Sequence, residues 1–229
     1  MRTDEPTVVL TGASAGIGLS MLEALADEAF VLAVSRSAPP LETFNGVWTH
    51  GDLESPEAVA TSLVDYLSRT GRPLSGMILC AASYGADRRH PFLETSDREW
   101  DELMTINVRS QFIFTSRLLP LLLRQTQAFL VAVSSNTATA PAPGRIAYGC
   151  SKAASRALFS GLAEELTDSG VAVIQFMPDR QVVTRGLRRR RPPGFDYSSY
   201  IQPEVFKEPI RSIVRTRGAG MNGNCVPFS

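Results

Sequence analysis

The amino-acid sequence predicts a doubly wound α/β domain, a parallel sheet with helices packed on both faces. Short apolar runs alternate with segments whose apolar residues recur at helical spacing. The runs are apolar almost throughout, as expected of strands that are buried on both faces, and this alternation is typical of a parallel sheet. A chain of 229 residues with 44% hydrophobic content suits one domain, and no repeat or linker is visible. We therefore expect a single domain over residues 1–229.

The predicted strands are short β-branched or apolar runs bounded by turn-forming residues. The first leads into a glycine-rich turn, and residues 30–35 form a continuous apolar run. The strand at 171–177 ends where Pro178, which lacks an N–H group, interrupts it. The predicted strands are residues 7–11, 30–35, 47–50, 74–81, 129–134, 171–177 and 224–228.

The helices are predicted from apolar spacing and from capping residues. Ser55 and Pro56 suit the N-cap and the first helical position of one helix. Ser169 and Gly170 provide a C-terminal stop for another. Between 179 and 202 arginine, proline, glycine and serine replace the periodic pattern, which predicts a long irregular loop. The predicted helices are residues 17–28, 55–69, 97–123, 147–168 and 203–214.

Composition and charge argue against several classes of function. Lys plus Arg and Asp plus Glu each total 23, so the chain lacks the basic excess typical of proteins that bind nucleic acid or anionic membranes. The longest apolar runs, at 77–82 and 128–133, are too short to span a bilayer, and residues 1–6 lack the apolar core of a secretory signal. Three dispersed cysteines and two histidines indicate reduced thiols and no metal site. We therefore expect a cytoplasmic protein.

A glycine-rich turn joins the first predicted strand to the first helix, and residues 11–18 read Thr-Gly-Ala-Ser-Ala-Gly-Ile-Gly. Glycines allow a tight turn and let a pyrophosphate approach the N–H groups at a helix N-terminus, where the helix dipole favours anions. The alternative is a plain strand-to-helix connection, since the spacing differs from the commonest dinucleotide fingerprint. The candidate cofactor-binding residues of the turn are Gly12, Ser14, Ala15, Gly16, Ile17 and Gly18.

A tyrosine, a lysine and a serine form the candidate catalytic group. Tyr148 and Lys152 are four residues apart, hence on one face of a helix, and the chain's one other lysine is Lys207. An ammonium beside a phenol lowers the pKa of the phenol, which suits the tyrosine to acid–base catalysis. Ser135 follows the preceding strand, where its hydroxyl can hold a substrate oxygen. The alternatives are a packed tyrosine with a solvated lysine, and a capping serine.

Together these residues resemble the short-chain dehydrogenase/reductase family in its compact single-domain branch. The family pattern is Thr-Gly-x₃-Gly-x-Gly, an aspartate after the third strand, a helix asparagine, a serine after the fifth strand and Tyr-x₃-Lys. The resemblance covers essentially the whole chain and implies a Rossmann-type oxidoreductase. The matching positions are residues 11–18, Asp52, Asn107, Ser135 and Tyr148 with Lys152.

The resemblance also implies a role for each matched residue. Tyr148 would be the general acid, Ser135 would orient the substrate carbonyl, and Lys152 would bind the nicotinamide ribose and tune the tyrosine. Asn107 would support a proton-relay water, with a helix residue satisfying a local backbone group as the alternative. Further implied cofactor contacts are Asp52, Leu53, Ala81, Ala82, Pro178, Val182 and Thr184.

Two segments depart from the family pattern. Residues 80–83 read Cys-Ala-Ala-Ser where the family has Asn-Asn-Ala-Gly, so the asparagine side chains are missing. After Pro178 the family's glycine is replaced by Asp179, and Thr184 comes one residue late for its contact to the nicotinamide. We expect the Asp179 carboxylate to lie near the substrate.

The end of the second strand predicts NADP as the cofactor. NAD-specific folds place an acid there on the ribose 2′-hydroxyl, whereas an arginine accommodates a 2′-phosphate. Residues 34–37 read Val-Ser-Arg-Ser and contain no acid. Arg36 can bind the phosphate through its guanidinium, with hydroxyls from Ser35 and Ser37. The alternative is a surface arginine at the start of a loop.

We therefore predict NADPH-dependent reduction of a small ketone or aldehyde to an alcohol. The alternatives are an NADP-binding regulator without turnover, a dehydration or epimerisation on the same scaffold, and a structural subunit. The apolar helices at 97–123 and 147–168 predict a homodimer or homotetramer, because a helix apolar on several sides must be buried on several sides. Burial inside the fold is the alternative to that assembly.

The arginine-rich part of the 179–202 loop has two interpretations. It contains Arg180, Arg185 and the run at 188–191. One interpretation is a solvated, mobile face. The other is a lid that attracts an anionic substrate and stays loose until the anion neutralises its charges, with glycines at 186 and 194 as hinges. In that case the loop forms a substrate pocket together with residues 84–90 and 136–145.

Overall fold

Parallel strands form one sheet whose order reverses near its middle. The computed structural model describes residues 5–41, 43–86, 88–189 and 191–229. The strands are β1 (Thr7–Thr11), β2 (Phe30–Ser35), β3 (Gly46–His50), β4 (Leu74–Leu79), β5 (Ala128–Val133), β6 (Val171–Pro178) and β7 (Cys225–Phe228). Every pairing between neighbouring described strands is parallel, and their order across the sheet is β3-β2-β1-β4-β5-β6-β7.

Helices connect the strands and cover the sheet. Short 3₁₀ turns occur at Phe92–Glu94, Asn136–Ala138 and Pro203–Phe206. Within the described part of the chain, no helix has both the length and the hydropathy needed to cross a bilayer. The helices are α1 (Gly16–Leu25), α2 (Pro56–Thr70), α3 (Asp97–Met104), α4 (Ser110–Leu122), α5 (Ile146–Glu165), α6 (Arg185–Arg189) and α7 (Lys207–Thr216).

Both faces of the sheet are buried along the strands between the two edge strands, which confirms the predicted doubly wound architecture. Successive residues of a strand point to opposite faces. In β1, Val8 and Leu10 belong to the apolar cluster that includes residues of α1 and α7. Val9, between them, belongs to the cluster that includes residues of α2, α4 and α5. The order reverses between β1 and β4, the position at which doubly wound sheets bind ligands.

The helix predicted at 97–123 contains a local irregularity. A π-helical turn, Thr105–Arg109, joins α3 to α4. It contains Asn107, whose side chain is fully buried and accepts a hydrogen bond from the backbone of Ser83. A π-turn adds one residue to a single helical turn, and no particular apolar residue marks its position. Apolar spacing alone could therefore not reveal it.

The prediction of an irregular loop at 179–202 is wrong for part of that segment. Residues 185–189 form α6, and a parallel bridge pairs Val182 with Ile201. Leu187 and Ile201 are buried and anchor the segment. In the sequence these two apolar residues are 14 positions apart, with mainly polar residues, arginines and prolines between them. No periodic pattern therefore marked the helix or the bridge.

Smaller differences concern the ends of elements. The first helix ends at Leu25 rather than at 28, because the chain turns there and the Glu28 N–H donates to the Leu25 carbonyl. The fourth strand ends at Leu79 rather than at 81. The segment predicted as a helix at 203–214 begins as a 3₁₀ turn and continues as α7.

Candidate functional site

A cleft of about 880 Å³ lies along the carboxyl ends of the strands. It brings together every cofactor-binding and catalytic residue predicted above except Asn107. The predicted residues that line it are Gly12, Ser14, Ala15, Gly16, Ile17, Gly18, Ser35, Arg36, Ser37, Asp52, Leu53, Ala81, Ala82, Ser135, Tyr148, Lys152, Pro178, Val182 and Thr184.

The glycine turn between β1 and α1 forms one wall of the cleft. Gly12 has φ +79°, and a Cβ there would lie 2.9 Å from the backbone of Ala81. A Cβ on Gly18 would lie 2.2 Å from the Gly12 carbonyl oxygen. The N-cap of α1 is Ala15, which offers no side-chain oxygen to the first N–H groups. These donors are therefore available to an anion in the cleft.

At the end of β2, Ser35 and Arg36 differ in whether their side chains are free to bind a phosphate. The Ser35 hydroxyl donates to the Ser37 carbonyl at 2.8 Å and accepts from the indole N–H of Trp48 at 3.1 Å. Its proton is therefore already used, and it cannot donate to a phosphate as predicted without breaking that bond. Arg36 is exposed and lines the cleft. Across the cleft mouth Asp52 accepts a hydrogen bond from the Glu54 N–H at 3.0 Å.

Tyr148, Ser135 and Lys152 meet deep in the cleft. Tyr148 lies in the first turn of α5 and is 6% exposed. Ser135 directly follows the end of β5, and its hydroxyl accepts from the N–H and the hydroxyl of Thr137. Lys152 lies one turn after the tyrosine, with Nζ 5.9 Å from the centre of the phenol ring. The Lys152 ammonium donates to the carbonyl of Val133 at 3.0 Å.

The pKa values in this cluster differ from the prediction. Burial raises the pKa of Tyr148 well above its usual value, and the neighbouring Tyr84 phenol adds to the rise. The hydrogen bond with Ser135 acts in the opposite direction. Burial also lowers the pKa of Lys152 to about 8. The predicted lowering of the Tyr148 pKa by Lys152 is therefore not seen in this structure, where burial is the largest cause of the shift and Lys152 is not among its causes.

Tyr84 is a site residue that the sequence reasoning assigned only to a pocket wall. Its ring stacks on that of Tyr148, with centroids 5.0 Å apart and an interplanar angle of 21°. The guanidinium of Arg145 donates to the carbonyls of Tyr84 and Ala86 at 3.1 and 2.6 Å. An aromatic residue directly after the small residues 80–83 was the signal that could have indicated this contact.

Asn107 supports the cleft from behind. Its Oδ1 accepts from the Ser83 N–H at 2.8 Å, and its Nδ2 donates to the Ser83 carbonyl at 2.9 Å. Nδ2 also donates to the hydroxyl of Ser151, which in turn donates to the Tyr148 carbonyl. Both amide protons are thereby used within the protein. The side chain ties the 80–83 turn to α5, in line with the alternative that assigned Asn107 a local backbone contact.

The segment after β6 differs from the prediction at Asp179. The Asp179 carboxylate pairs with the Arg180 guanidinium at 3.4 Å and is absent from the lining of the cleft. The expectation of an acidic group near the substrate is therefore wrong for Asp179. Thr184, in contrast, lies against the glycine turn, since its methyl would be 2.9 Å from a Cβ on Gly16.

The arginine run does not form one solvated, loose face in this structure. Arg188 stacks on the ring of Tyr197, with its Cζ 4.9 Å from the ring centre. Arg191 stacks on Phe195 at 5.0 Å and donates to the Tyr200 hydroxyl at 3.4 Å. These aromatic rings also contact one another edge to face, and Arg190 lies outside the described residues. Arg188 and Arg191, at the two ends of the run, are thus held against aromatic rings.

Comparison with known sequences gives consistent matches. Residues 6–189 match the family described as short chain dehydrogenase. An uncharacterized oxidoreductase of Schizosaccharomyces pombe is 36% identical over 177 residues, covering 73% of this chain and 68% of that protein. The uncharacterized oxidoreductase YbbO of Escherichia coli is 32% identical over 219 residues, covering 90% of this chain and 80% of that protein.

Comparison with solved structures gives the same fold. A candidate short chain dehydrogenase from Shigella flexneri, complexed with NADP, superposes with a TM-score of 0.85 at 24% identity, covering 97% of this chain and 96% of that one. A 3-oxoacyl (acyl-carrier-protein) reductase from Agrobacterium tumefaciens with NADP bound gives 0.82 at 19% identity, with coverage of 97% and 92%. At these identities the likeness extends to the fold.

Proposed function

The chain belongs to the short-chain dehydrogenase family, and on that premise we propose that it reduces a ketone or an aldehyde to an alcohol with NADPH, with Tyr148 as the proton donor. The observation that carries the proposal is the cluster of Tyr148, Ser135 and Lys152 within one cleft. A phenol, a hydroxyl and an ammonium suffice to hold and protonate a carbonyl oxygen.

The residues of the cleft fit NADP. The uncapped N-terminus of α1 and its glycine turn suit the pyrophosphate. Arg36, at the end of β2, suits the 2′-phosphate, and no acid follows that strand within residues 34–37. Two solved structures of the same fold contain NADP. The Asp52 side chain lies in the lining near the expected adenine position.

The chemistry needs little from the protein beyond positioning and one proton. Bound NADPH supplies the hydride that adds to the carbonyl carbon. Ser135 exchanges its long hydrogen bond to the Asn136 Oδ1, at 3.3 Å, for one to the carbonyl oxygen and holds that oxygen at the phenol of Tyr148. The phenol proton then passes to that oxygen, which yields the alcohol and leaves a phenolate. Lys152 carries a positive charge near neutral pH, because its pKa is about 8, and this charge stabilises the phenolate.

The raised pKa of Tyr148 suits this direction of reaction. A phenol whose pKa is far above neutrality keeps its proton until the substrate oxygen develops negative charge. It is therefore ready to act as an acid. The opposite reaction, oxidation of an alcohol, would require the phenol to lose its proton first.

The test is NADPH consumption with a panel of aldehydes and ketones, in the wild type and in Tyr148→Phe. We expect the variant to lose at least about a hundredfold in kcat, the usual contribution of a general acid, and to keep its affinity for NADPH. Tyr66→Phe, on α2 outside the cleft, serves as the matched control. Turnover of Tyr148→Phe within threefold of the wild type would contradict the assignment. NADPH binding without consumption of any carbonyl would favour a regulator.

A further inference from the structure

The lining of the cleft is rich in arginine. The segment between β4 and α3 contributes Arg88 and Arg89 to the lining. The segment after β6 contributes Arg180, Arg185, Arg189 and Arg191. The acids in the described lining are Asp52, at the expected adenine end, and Glu102, whose carboxylate accepts a hydrogen bond from the Ser83 hydroxyl at 2.6 Å. A protein of zero net charge therefore has a cleft with a strongly positive lining.

Three of these arginines are already engaged. Arg88 forms an exposed pair with Glu94 at 3.5 Å. Arg180 pairs with Asp179 and donates to a backbone carbonyl, and Arg191 stacks on an aromatic ring. The side chains of Arg89, Arg185 and Arg189 form no hydrogen bond or ion pair with another residue within 5–41, 43–86, 88–189 and 191–229. Their guanidinium groups can thus bind an anion without breaking a contact.

Of these three arginines, we assign Arg185 to the proposed cofactor and leave Arg89 and Arg189 for another ligand. Arg185 directly follows Thr184, which lies against Gly16 of the phosphate-binding turn. Arg189 lies one helical turn further along α6, on the same face as Arg185. It lines the same cleft one helical turn beyond the residue that follows Thr184.

Arg89 is placed by a well-bonded loop beside the catalytic helix. Glu99 accepts from the Ala86 N–H at 3.0 Å and contacts the His90 ring at 3.1 Å. The Cβ of Arg89 would be 2.9 Å from a Cβ on Gly144, two residues before α5 begins. The backbone of the loop is therefore held on both sides of Arg89, and its exposed side chain is left for the cleft.

We propose that Arg89 and Arg189 form an anion subsite of the cleft, which binds a carboxylate or a phosphate carried by the carbonyl substrate. The inference rests on the proposed function and names the class of its substrate. The two arginines come from separate segments of the chain, and both line the cleft with exposed side chains. Guanidinium groups suit such an anion because their N–H groups match the oxygens of carboxylate and phosphate.

The experiment compares three aldehydes that differ in charge. The probes are 4-carboxybenzaldehyde, 4-formylphenyl phosphate and methyl 4-formylbenzoate. Their dissociation constants are measured by calorimetry on the complex of the protein with NADP⁺, so the readout does not depend on turnover. The proteins are the wild type, Arg89→Ser, Arg189→Ser, the double variant and Arg98→Ser. Arg98 is an exposed arginine of α3 outside the cleft lining and is the matched control for the loss of charge.

We expect at least one anionic aldehyde to bind about tenfold more tightly than the methyl ester at low ionic strength. Each single variant should raise the dissociation constant of that anion about threefold, and the double variant about tenfold. The dissociation constants of the ester and of NADP⁺ should stay unchanged. Added salt should remove the advantage of the anion. The anionic probe that binds more tightly shows whether the subsite prefers a carboxylate or a phosphate.

Equal affinities for the ester and both anions would overturn the inference, as would an equal effect of Arg98→Ser. The proposed function is tested separately, by consumption of NADPH with the methyl ester or any other carbonyl in the panel. Reduction of neutral carbonyls without an anion preference would therefore remove the subsite and leave the reductase. An anion preference without any NADPH consumption would instead count against the reductase.

Discussion

The rings of Tyr84 and Tyr148 are stacked 5.0 Å apart, at an interplanar angle of 21°, on the wall of the cleft. Tyr84 belongs to the loop after β4, whereas Tyr148 belongs to α5. Arg145, three residues before Tyr148, donates to the Tyr84 carbonyl. The orientation of the proposed acid is thereby coupled to a loop from another part of the chain.

Loss of this stack should reduce catalysis without affecting cofactor binding. Replacing Tyr84 with Ala removes a contact worth about 1 kcal/mol, so we expect kcat/KM to fall roughly fivefold when the phenol loses its orientation. Tyr84→Phe keeps the ring and should stay within about threefold of the wild type. Steady-state kinetics and NADPH titration of both variants provide the measurement. If the Ala variant matched the wild type, the stack would have no catalytic role.

The two directions of the reaction should depend differently on pH. Burial holds the pKa of Tyr148 well above its usual value, so the phenol stays protonated at neutral pH. Carbonyl reduction uses the protonated form and should change little through neutral pH. Alcohol oxidation uses the phenolate and should rise steadily as the pH increases. Initial rates in both directions at saturating cofactor test this, and an oxidation rate independent of pH would contradict it.

Lys152 should make stability depend on pH. Burial lowers its pKa from the ordinary 10.5 to about 8, so between these values the unfolded chain binds the additional proton. The free energy of unfolding therefore rises with pH across this window, by about 3 kcal/mol at most, and the cost of burying the charge is present in full below pH 8. In the Lys152→Met variant, this rise of the unfolding free energy with pH should be absent. Urea unfolding at a series of pH values measures it.

The comparison between wild type and variant is needed because Cys80 titrates in the opposite sense. Burial raises the pKa of Cys80 from 9.0 to about 12, so this thiol lowers stability as the pH rises through that range. Both proteins contain Cys80, but its thiol interacts electrostatically with Lys152, so the difference between them reports the lysine together with that coupling. Identical pH slopes in the two proteins would show that the lysine is not buried as a charge.

Arg36 should determine the preference for NADP. Replacing Arg36 with Ser removes the guanidinium expected to bind the 2′-phosphate, which should weaken NADPH about tenfold and leave NADH unchanged. Fluorescence titration with the two reduced cofactors measures both affinities, and Arg98→Ser controls for the change in net charge. Tighter binding of NADH than of NADPH by the wild type would refute the assignment of NADP.

We predict a homo-oligomer in solution. Phe112 on α4 is 53% exposed, and Leu123 at the end of that helix is 45% exposed. Apolar side chains that are exposed about three turns apart on the same side of a helix favour burial against a second subunit. Light scattering should give at least twice the chain mass of 24.9 kDa, and Phe112→Glu should lower it. A single-chain mass for the wild type at micromolar concentration would contradict the prediction.

The sequence was sufficient for the sheet and for the residues of the cleft. Buried parallel strands are apolar on both faces, so runs such as residues 30–35 were visible without knowledge of their neighbours. Residues at strand ends meet at one edge of such a sheet, which placed Gly12, Ser135 and Pro178 in one cleft. Topology alone explains this success.

Features that depend on contacts between distant segments could not be predicted in this way. The stack of Tyr84 on Tyr148 and the hydrogen bonds of the buried Asn107 side chain join segments that are far apart in the chain. The contact of Arg188 with the Tyr197 ring lies in a segment without a periodic apolar pattern. The pKa of Tyr148 was mispredicted for a related reason. The sequence showed that an ammonium was near, but the degree of burial follows only from the packing of the whole fold.

The hydrogen bond from Trp48 to Ser35 provides an intrinsic optical signal. The chain has two tryptophans, and the indole of Trp48 is bonded to a hydroxyl that lines the cleft beside Arg36. Trp100 lies on α3 and is absent from that lining. A nucleotide settling at the end of β2 should alter the emission of Trp48 and leave that of Trp100 as an internal reference. Single-tryptophan variants would then report binding without label, substrate or turnover.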